Sequence, residues 1–129
     1  MTTAQTAARP ALVVEDEEDA RRYFVHCLQY LGFAVDTADN GMSALEMAAA
    51  TDYDVIVCDV RLPKLSGTSF LANLVKRVPS AERRIVVVSS LDDSSVKRDA
   101  LAAGACAYLV KPVTLDMLRQ TLAADAVPG

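Results

Sequence analysis

Short apolar runs alternate along the chain with longer stretches in which apolar residues recur every third or fourth position. The runs are Ala11-Leu12-Val13-Val14, Phe33-Ala34-Val35-Asp36-Thr37-Ala38, Val55-Ile56-Val57-Cys58, Ile85-Val86-Val87-Val88 and Cys106-Ala107-Tyr108-Leu109-Val110. Runs this short, rich in β-branched residues and bounded by turn formers, read as buried strands of a parallel sheet. The second is less uniformly apolar, which places it nearer an edge. Between the runs the period changes to that of a helix. Ala20, Phe24, Cys27, Leu28 and Leu31 form one stripe, stopped by Gly32. An alanine-rich stretch from about Met42 to Ala50 follows the Asn40-Gly41 turn. Phe70, Leu71, Leu74 and Val78 mark a third helix, broken at Pro79-Ser80. Asp92-Asp93-Ser94 and Thr114 are suited to cap a fourth and a fifth, the last carrying Leu115, Leu118 and Leu122 on one face. Five strands alternating with five helices predict a doubly wound α/β domain, because a right-handed βαβ crossover places helices on both faces of the sheet.

Composition narrows the class further. With 129 residues, 52% of them apolar, the chain can build one domain with a hydrophobic core. Residues 1–10 read as a polar tail, 11–124 as the domain and 125–129 as a second short tail. The net charge of −4 leaves no basic footprint for nucleic acid or an anionic membrane. No apolar stretch approaches the roughly 18–20 residues of a membrane span. The N-terminal residues lack a hydrophobic targeting segment. Cys27, Cys58 and Cys106 are widely spaced and without Cys-x-x-Cys pairing, so they read as reduced thiols in or near the core of a cytoplasmic protein.

Chemistry enters at the strand ends. Ligands of open α/β sheets bind just beyond the carboxyl ends of the strands. The first strand leads into Glu15-Asp16-Glu17-Glu18-Asp19, the third into Asp59, the fourth into Ser89 and the fifth into Lys111. Pro63, four residues after Asp59, forbids that strand from continuing, since proline has no N–H for a ladder. Each of these residues alone has an ordinary explanation, as a helix cap, a strand end or a solvated lysine. Their arrival at one edge does not. Crowded carboxylates repel unless a cation intervenes, and Mg²⁺ suits them as a hard ion with oxygen ligands. Such an ion neutralises charge on a transferring phosphoryl group. Lys111 and Ser89 can hold phosphoryl oxygens, leaving Asp59 as the nucleophile that forms an acyl phosphate.

The segments Val13-Val14-Glu15-Asp16, Val57-Cys58-Asp59-Val60-Arg61-Leu62-Pro63, Leu65-Ser66-Gly67, Val88-Ser89-Ser90, Ala103-Gly104-Ala105 and Tyr108-Leu109-Val110-Lys111-Pro112 resemble the receiver domain of two-component response regulators. The resemblance covers residues 11–124. It implies a flavodoxin-like (CheY-like) fold with strand order 2-1-3-4-5. It also implies that Asp59 takes a phosphoryl group from a histidine kinase or histidine phosphotransfer protein. By the same resemblance Glu15, Asp16, Asp59 and the backbone carbonyl of Arg61 are metal ligands, and Ser89 and Tyr108 are the switch pair. Lys111 is the lysine that pairs with the phosphoryl group, and Lys111–Pro112 is a candidate cis peptide. Arg61 and Leu91 flank the site at positions that tune the phosphoryl lifetime in the family, Leu91 being expected to screen it from water. Glu15 stands where aspartate is commoner and Ser89 where threonine is commoner. Neither exchange removes a function.

Rival readings fit less well. A haloacid-dehalogenase phosphatase needs a second aspartate two residues after the nucleophile, where this chain has Arg61. A flavin-binding module needs a hydroxyl- and glycine-rich loop after the first strand, and five acids there would repel phosphate. A receiver-like scaffold that binds a partner without phosphorylation is the remaining alternative. His26, Met42, Met47 and Met117 fall on helices and read as surface or packing residues. The expectation is a signalling phosphoacceptor rather than an enzyme. It would report through the fourth helix, fifth strand and fifth helix to an unknown downstream protein, without direct nucleic-acid contact. The initial Met and the completed fifth helix favour a stand-alone regulator acting by protein contact.

Overall fold

The structure is a computed structural model that describes residues 8–61, 67–77, 84–90 and 94–126. Ten elements alternate along the chain: β1 (Arg9–Val14), α1 (Glu18–Tyr30), β2 (Phe33–Ala38), α2 (Gly41–Ala50), β3 (Val55–Asp59), α3 (Gly67–Arg77), β4 (Arg84–Ser89), α4 (Ser94–Ala102), β5 (Ala107–Val110) and α5 (Leu115–Ala126). All strand pairs are parallel, in the order β2-β1-β3-β4-β5. The half-polar β2 is therefore an edge, whereas β3 and β4 are buried along their whole length. The resulting five-stranded, doubly wound sheet with five helices is the CheY-like arrangement expected of the sequence.

Strand alternation divides the core in two. Ala11, Val13, Val55, Val57, Val86 and Val88 face one side, with Phe24, Cys27 and Leu28 of α1 and Leu118 and Leu122 of α5. Leu12, Val14, Ile56, Cys58, Ile85 and Val87 face the other, against Ala44 and Leu45 of α2, Phe70, Leu71 and Leu74 of α3 and Ala100 of α4. A strand buried on both faces has no polar side to show, which is why β1, β3 and β4 read as unbroken apolar runs. Helix starts follow their local chemistry. The Glu17 carboxylate accepts the Ala20 N–H at 2.7 Å, Asn40 Oδ1 accepts that of Ser43 at 2.9 Å, and Thr114 Oγ1 that of Met117 at 3.1 Å. Asp92 and Asp93, expected to help cap α4, lie outside the described residues.

Two expectations change. β1 begins at Arg9, inside the segment expected to be tail, because Pro10 near the start of the strand still offers its carbonyl, which accepts the Asp54 N–H at 2.9 Å. Cys106 is exposed, unlike the buried Cys27 and Cys58. It lies one residue before β5, with its N–H already on the Ile85 carbonyl of β4 and its thiol outside the core.

Two helix ends are turned by glycines with positive φ, Gly32 at +99° and Gly104 at +120°. A Cβ at Gly32 would meet nothing within 4 Å, whereas one at Gly104 would come within 3.1 Å of Val75 Cγ2. Gly32→Ala is expected to destabilise the fold by about 1 kcal/mol through backbone strain alone, and Gly104→Ala by about 2–3 kcal/mol. Val75→Ala in the Gly104→Ala background should recover part of the difference. Urea denaturation of the four proteins checks both the order and the recovery.

Candidate functional site

The alternation that splits the core also sorts the residues at the carboxyl edge. Glu15 continues the Ala11–Val13 face of β1, and Asp59 continues the Val55–Val57 face of β3. Lys111 continues the Ala107–Leu109 face of β5, so all three emerge on the side of α1 and α5. There they meet. Lys111 Nζ donates to Glu15 Oε1 at 2.9 Å and to Asp59 Oδ2 at 2.8 Å. One oxygen from each of Glu15, Asp16 and Asp59 lies within 4.8 Å of the others. Glu15 and Asp59 are buried and Asp16 is exposed.

Backbone groups complete the frame. The Arg61 N–H donates to Asp59 Oδ1 at 2.8 Å, so both carboxylate oxygens of Asp59 are held. The Glu17 N–H donates to Glu15 Oε2 at 3.2 Å. The Glu15 N–H donates to the Ala38 carbonyl, extending the β1–β2 ladder into the acidic loop. The Lys111 N–H donates to the Ser89 carbonyl at 2.7 Å, doing the same for β4 and β5. The Lys111–Pro112 peptide is cis.

The electrostatics are those of an under-neutralised anion cluster. Burial pushes the Glu15 carboxyl above its ordinary range, and Asp59 adds to the rise. The bonds from Lys111 and from the Glu17 N–H oppose it without cancelling it. Burial works against a charged Lys111, but its two carboxylate partners outweigh that and hold its pKa above the ordinary lysine value. Cys58, fully enclosed beside the cluster, is pushed up by burial and then by the charges of Asp59 and Glu15, which keeps it an inert thiol. Three carboxylates and one ammonium leave an excess of two negative charges. The donor set is oxygen only, and the acids are close enough to share one ion. Such a set fits a hard divalent cation.

Ser89 and Tyr108 lie on the other side of the sheet. Both are buried, and Tyr108 packs in the cluster with Val87, Ala100 and Ala105. Arg61 is exposed at the mouth of the site. Its N–H bond to the Asp59 carboxylate two residues earlier is a local contact that the residue types alone do not predict. Leu91 and residues 62–66 lie outside the described residues. His26 is exposed on α1, away from the carboxyl edge.

The Response regulator receiver domain profile matches residues 11–123. The chain belongs to the response regulator receiver family. Over 103 residues it is 36% identical to the transcriptional regulatory protein CusR of Escherichia coli K12, a match covering 78% of this chain and 44% of CusR. The receiver thus spans less than half the length of the first curated relatives it matches. The receiver domain of the sensor histidine kinase PA1611 from Pseudomonas aeruginosa, solved with a magnesium ion coordinated in its active-site cleft, superposes with a TM-score of 0.83. It shares 27% identity, and the match covers 92% of this chain and 97% of that one. A response regulator from Burkholderia pseudomallei, solved with a phosphorylated aspartic acid and a calcium ion, gives a TM-score of 0.78 at 28% identity, covering 92% and 73%. Receivers are the phosphoacceptors of two-component signalling and the partners of histidine kinases. No helix among the described residues is long and apolar enough to cross a membrane.

Removing the ammonium isolates its contribution. Lys111→Met leaves Glu15 and Asp59 buried against each other and should cost about 2–3 kcal/mol. That is less than for a fully enclosed pair, because the lysine keeps 26% of its side chain exposed. MgCl₂ should restore part of the loss. The pH dependence follows from the raised Lys111 pKa. Its stabilisation is complete below the unfolded value near 10.5 and is lost as the pH rises through the higher folded value. Tyr53, pushed up to about 12 by burial and by its bond to Asp36, loses stabilisation in the same direction from pH 10 upward. Wild type should therefore lose more stability between pH 10 and 12 than Lys111→Met does, as read by urea midpoints across that window.

Proposed function

We propose that this receiver accepts a phosphoryl group on Asp59 from the phosphohistidine of a histidine kinase or phosphotransfer protein, in a Mg²⁺-dependent reaction. The observation that carries the reading is the bridge of Lys111 between Glu15 and Asp59 at the rim of a three-carboxylate pocket. Glu15, Asp16, Asp59 and the Arg61 carbonyl are the groups that would hold the cation. When bound, it supplies positive charge for the phosphoryl oxygens in transfer.

In the proposed step a carboxylate oxygen of Asp59 attacks phosphorus. The P–N bond to the donor imidazole breaks, and its electron pair leaves with the ring, which takes up a proton. The chain's own contribution is placement. The Arg61 N–H and Lys111 fix the Asp59 carboxylate in one orientation before the donor arrives, which removes rotational freedom from the attack. As the phosphoryl group lands, the Lys111 ammonium is within reach of its oxygens, and Ser89 supplies a hydroxyl at the next strand tip. These groups stabilise charge that is greatest during transfer.

The product carries roughly two negative charges where the Asp59 carboxylate carried one, a net gain of about one at the end of β3. We read Ser89 and Tyr108 as the pair that registers them. They share the side of the sheet that carries α4, and a shift of Ser89 toward the phosphoryl group alters the space available to Tyr108. The reporting surface is α4, β5 and α5. A downstream protein must bind the two states with different affinity for a signal to pass.

Incubation with acetyl phosphate and MgCl₂, followed by intact mass, tests the reading. Wild type should gain one phosphoryl group, and Asp59→Asn and EDTA-treated wild type none. Ser89→Ala should still be phosphorylated, but roughly tenfold more slowly, the equivalent of one lost hydrogen bond of about 1.4 kcal/mol in the transition state. An unchanged wild-type mass would overturn the proposal in favour of a scaffold that binds without phosphorylation.

A further inference from the structure

We propose that Arg21 is a positioning residue for the cation pocket, a clamp that fixes the backbone carrying Glu15 and Asp16. The inference rests on the reading of that pocket given above and adds a residue to it. Arg21 sits in the first turn of α1, four residues after the Glu17 cap, and its N–H donates to the Glu17 carbonyl at 2.9 Å as the first bond of the helix. A cation there opposes the helix dipole, whose positive end is at the N-terminus. Helical side chains lean toward the N-terminus, and the Arg21 guanidinium uses that direction. Nη1 donates to the Glu15 carbonyl at 3.1 Å and, over a longer reach of 3.4 Å, to the Asp16 carbonyl.

The Glu15 side chain is held by Lys111 and the Glu17 N–H, and the Arg21 bonds hold the backbone beside it. Before the loop, Glu15 is tied to β2 through its N–H to the Ala38 carbonyl. After it, the helix begins. Between them the peptides of Glu15 and Asp16 carry two of the three pocket carboxylates, and Asp16 is exposed, without burial to fix its side chain. The direction of the Asp16 carboxylate therefore depends on its backbone, and Arg21 holds that backbone by the two carbonyls. The guanidinium also lines a polar cavity of about 300 Å³ with Thr37, Asp39 and Ser43. Arg21 is half-buried there, and the water in the cavity screens its charge.

Charge and placement predict opposite signs. If Arg21 acted only as a nearby positive charge, removing it would strengthen cation binding, since the pocket would become more negative. If it acts as a clamp, removal weakens binding. Loss of a group that orients metal ligands typically lowers affinity about 10-fold or more. Arg21→Lys separates the two, because it keeps the charge on a stem one bond shorter than the one that carries Nη1 to both carbonyls.

The test is calorimetric titration of the full chain with MgCl₂ for wild type, Arg21→Ala and Arg21→Lys, with phosphorylation by acetyl phosphate measured at limiting and saturating Mg²⁺. Both variants should bind Mg²⁺ about 10-fold more weakly, Lys no better than Ala. Their phosphorylation should be slow at limiting Mg²⁺ and return to near the wild-type rate at saturation. A merely structural role would not produce that split. Should Arg21→Ala melt below the assay temperature, Arg21→Met, which keeps the aliphatic stem, carries the comparison. Wild-type binding matched or exceeded by Arg21→Ala, or preserved in Arg21→Lys, overturns the clamp alone. Failure of wild type to bind Mg²⁺ overturns the reading of the pocket and the clamp with it.

Discussion

One ammonium between two buried carboxylates organises the carboxyl edge of this fold. Lys111 reaches Glu15 and Asp59 from a strand two places removed from β3 and three from β1, so the contact can form only when the sheet has assembled in the observed order. It relieves part of the repulsion that comes from placing acids at the ends of adjacent strands, and it leaves part. Burial first, and then the neighbouring Asp59, keep the Glu15 carboxyl above its ordinary range even with Lys111 bonded to it. A fold selected for stability alone would exchange one of these acids for a neutral group. Retaining all three keeps a site with unmet demand for positive charge.

The period of two along each strand then assigns the work. Positions 15, 59 and 111 point to the α1 and α5 side, where phosphoryl chemistry is proposed. Positions 89 and 108 belong to the side that carries α2, α3 and α4, where Tyr108 is enclosed with Ala100 and Ala105. A one-residue slip in any of these strands would exchange the two sets. Register is protected by burial on both faces, since a slip would also carry every valine of β3 and β4 into the wrong layer. The precision of the site thus comes from the core beneath it.

Much of this was legible in the residues. Asp59, Glu15, Ser89 and Lys111 each end an apolar run, and a parallel sheet forces such ends onto one edge. The edge position of β2 followed from Asp36 and Thr37, since a strand that carries polar groups cannot be buried on both faces. What the sequence concealed has a common cause: it depends on backbone atoms, which every residue possesses. The Arg61 N–H on Asp59, the Arg21 bonds to two carbonyls and the Pro10 carbonyl in the ladder leave no mark in residue type. Arg21 carried only an indirect sign, a cation in the first turn of a helix where acids are favoured. Cys106 was misplaced because an apolar run does not reveal where its strand begins, and one position before β5 was enough to expose the thiol. Arg84 shows the reverse limit. At the start of β4, where a charged side chain is ordinarily solvated, it is 7% exposed and donates to the Leu122 carbonyl on α5.

The placement of the proposed phosphoacceptor and the proposed switch pair on opposite faces raises the question of what would join them. Ser89 and Lys111 lie on opposite faces in their side chains but meet in their backbones, where the Lys111 N–H donates to the Ser89 carbonyl at 2.7 Å. Lys111 therefore touches both halves, with its ammonium on Asp59 and its peptide on the strand tip that carries Ser89. Tyr108 precedes it by three residues on the same strand. In the proposed mechanism, a change of partner at the ammonium and a change of position at Ser89 would act on one short segment at the end of β5, which borders α4. Coupling in a close-packed interior needs an element with two arrangements that both sites can bias. The end of β5 is where the structure brings those influences together. It is also less buried than β1, β3 and β4, and so it has more room than they do to move without disturbing the core.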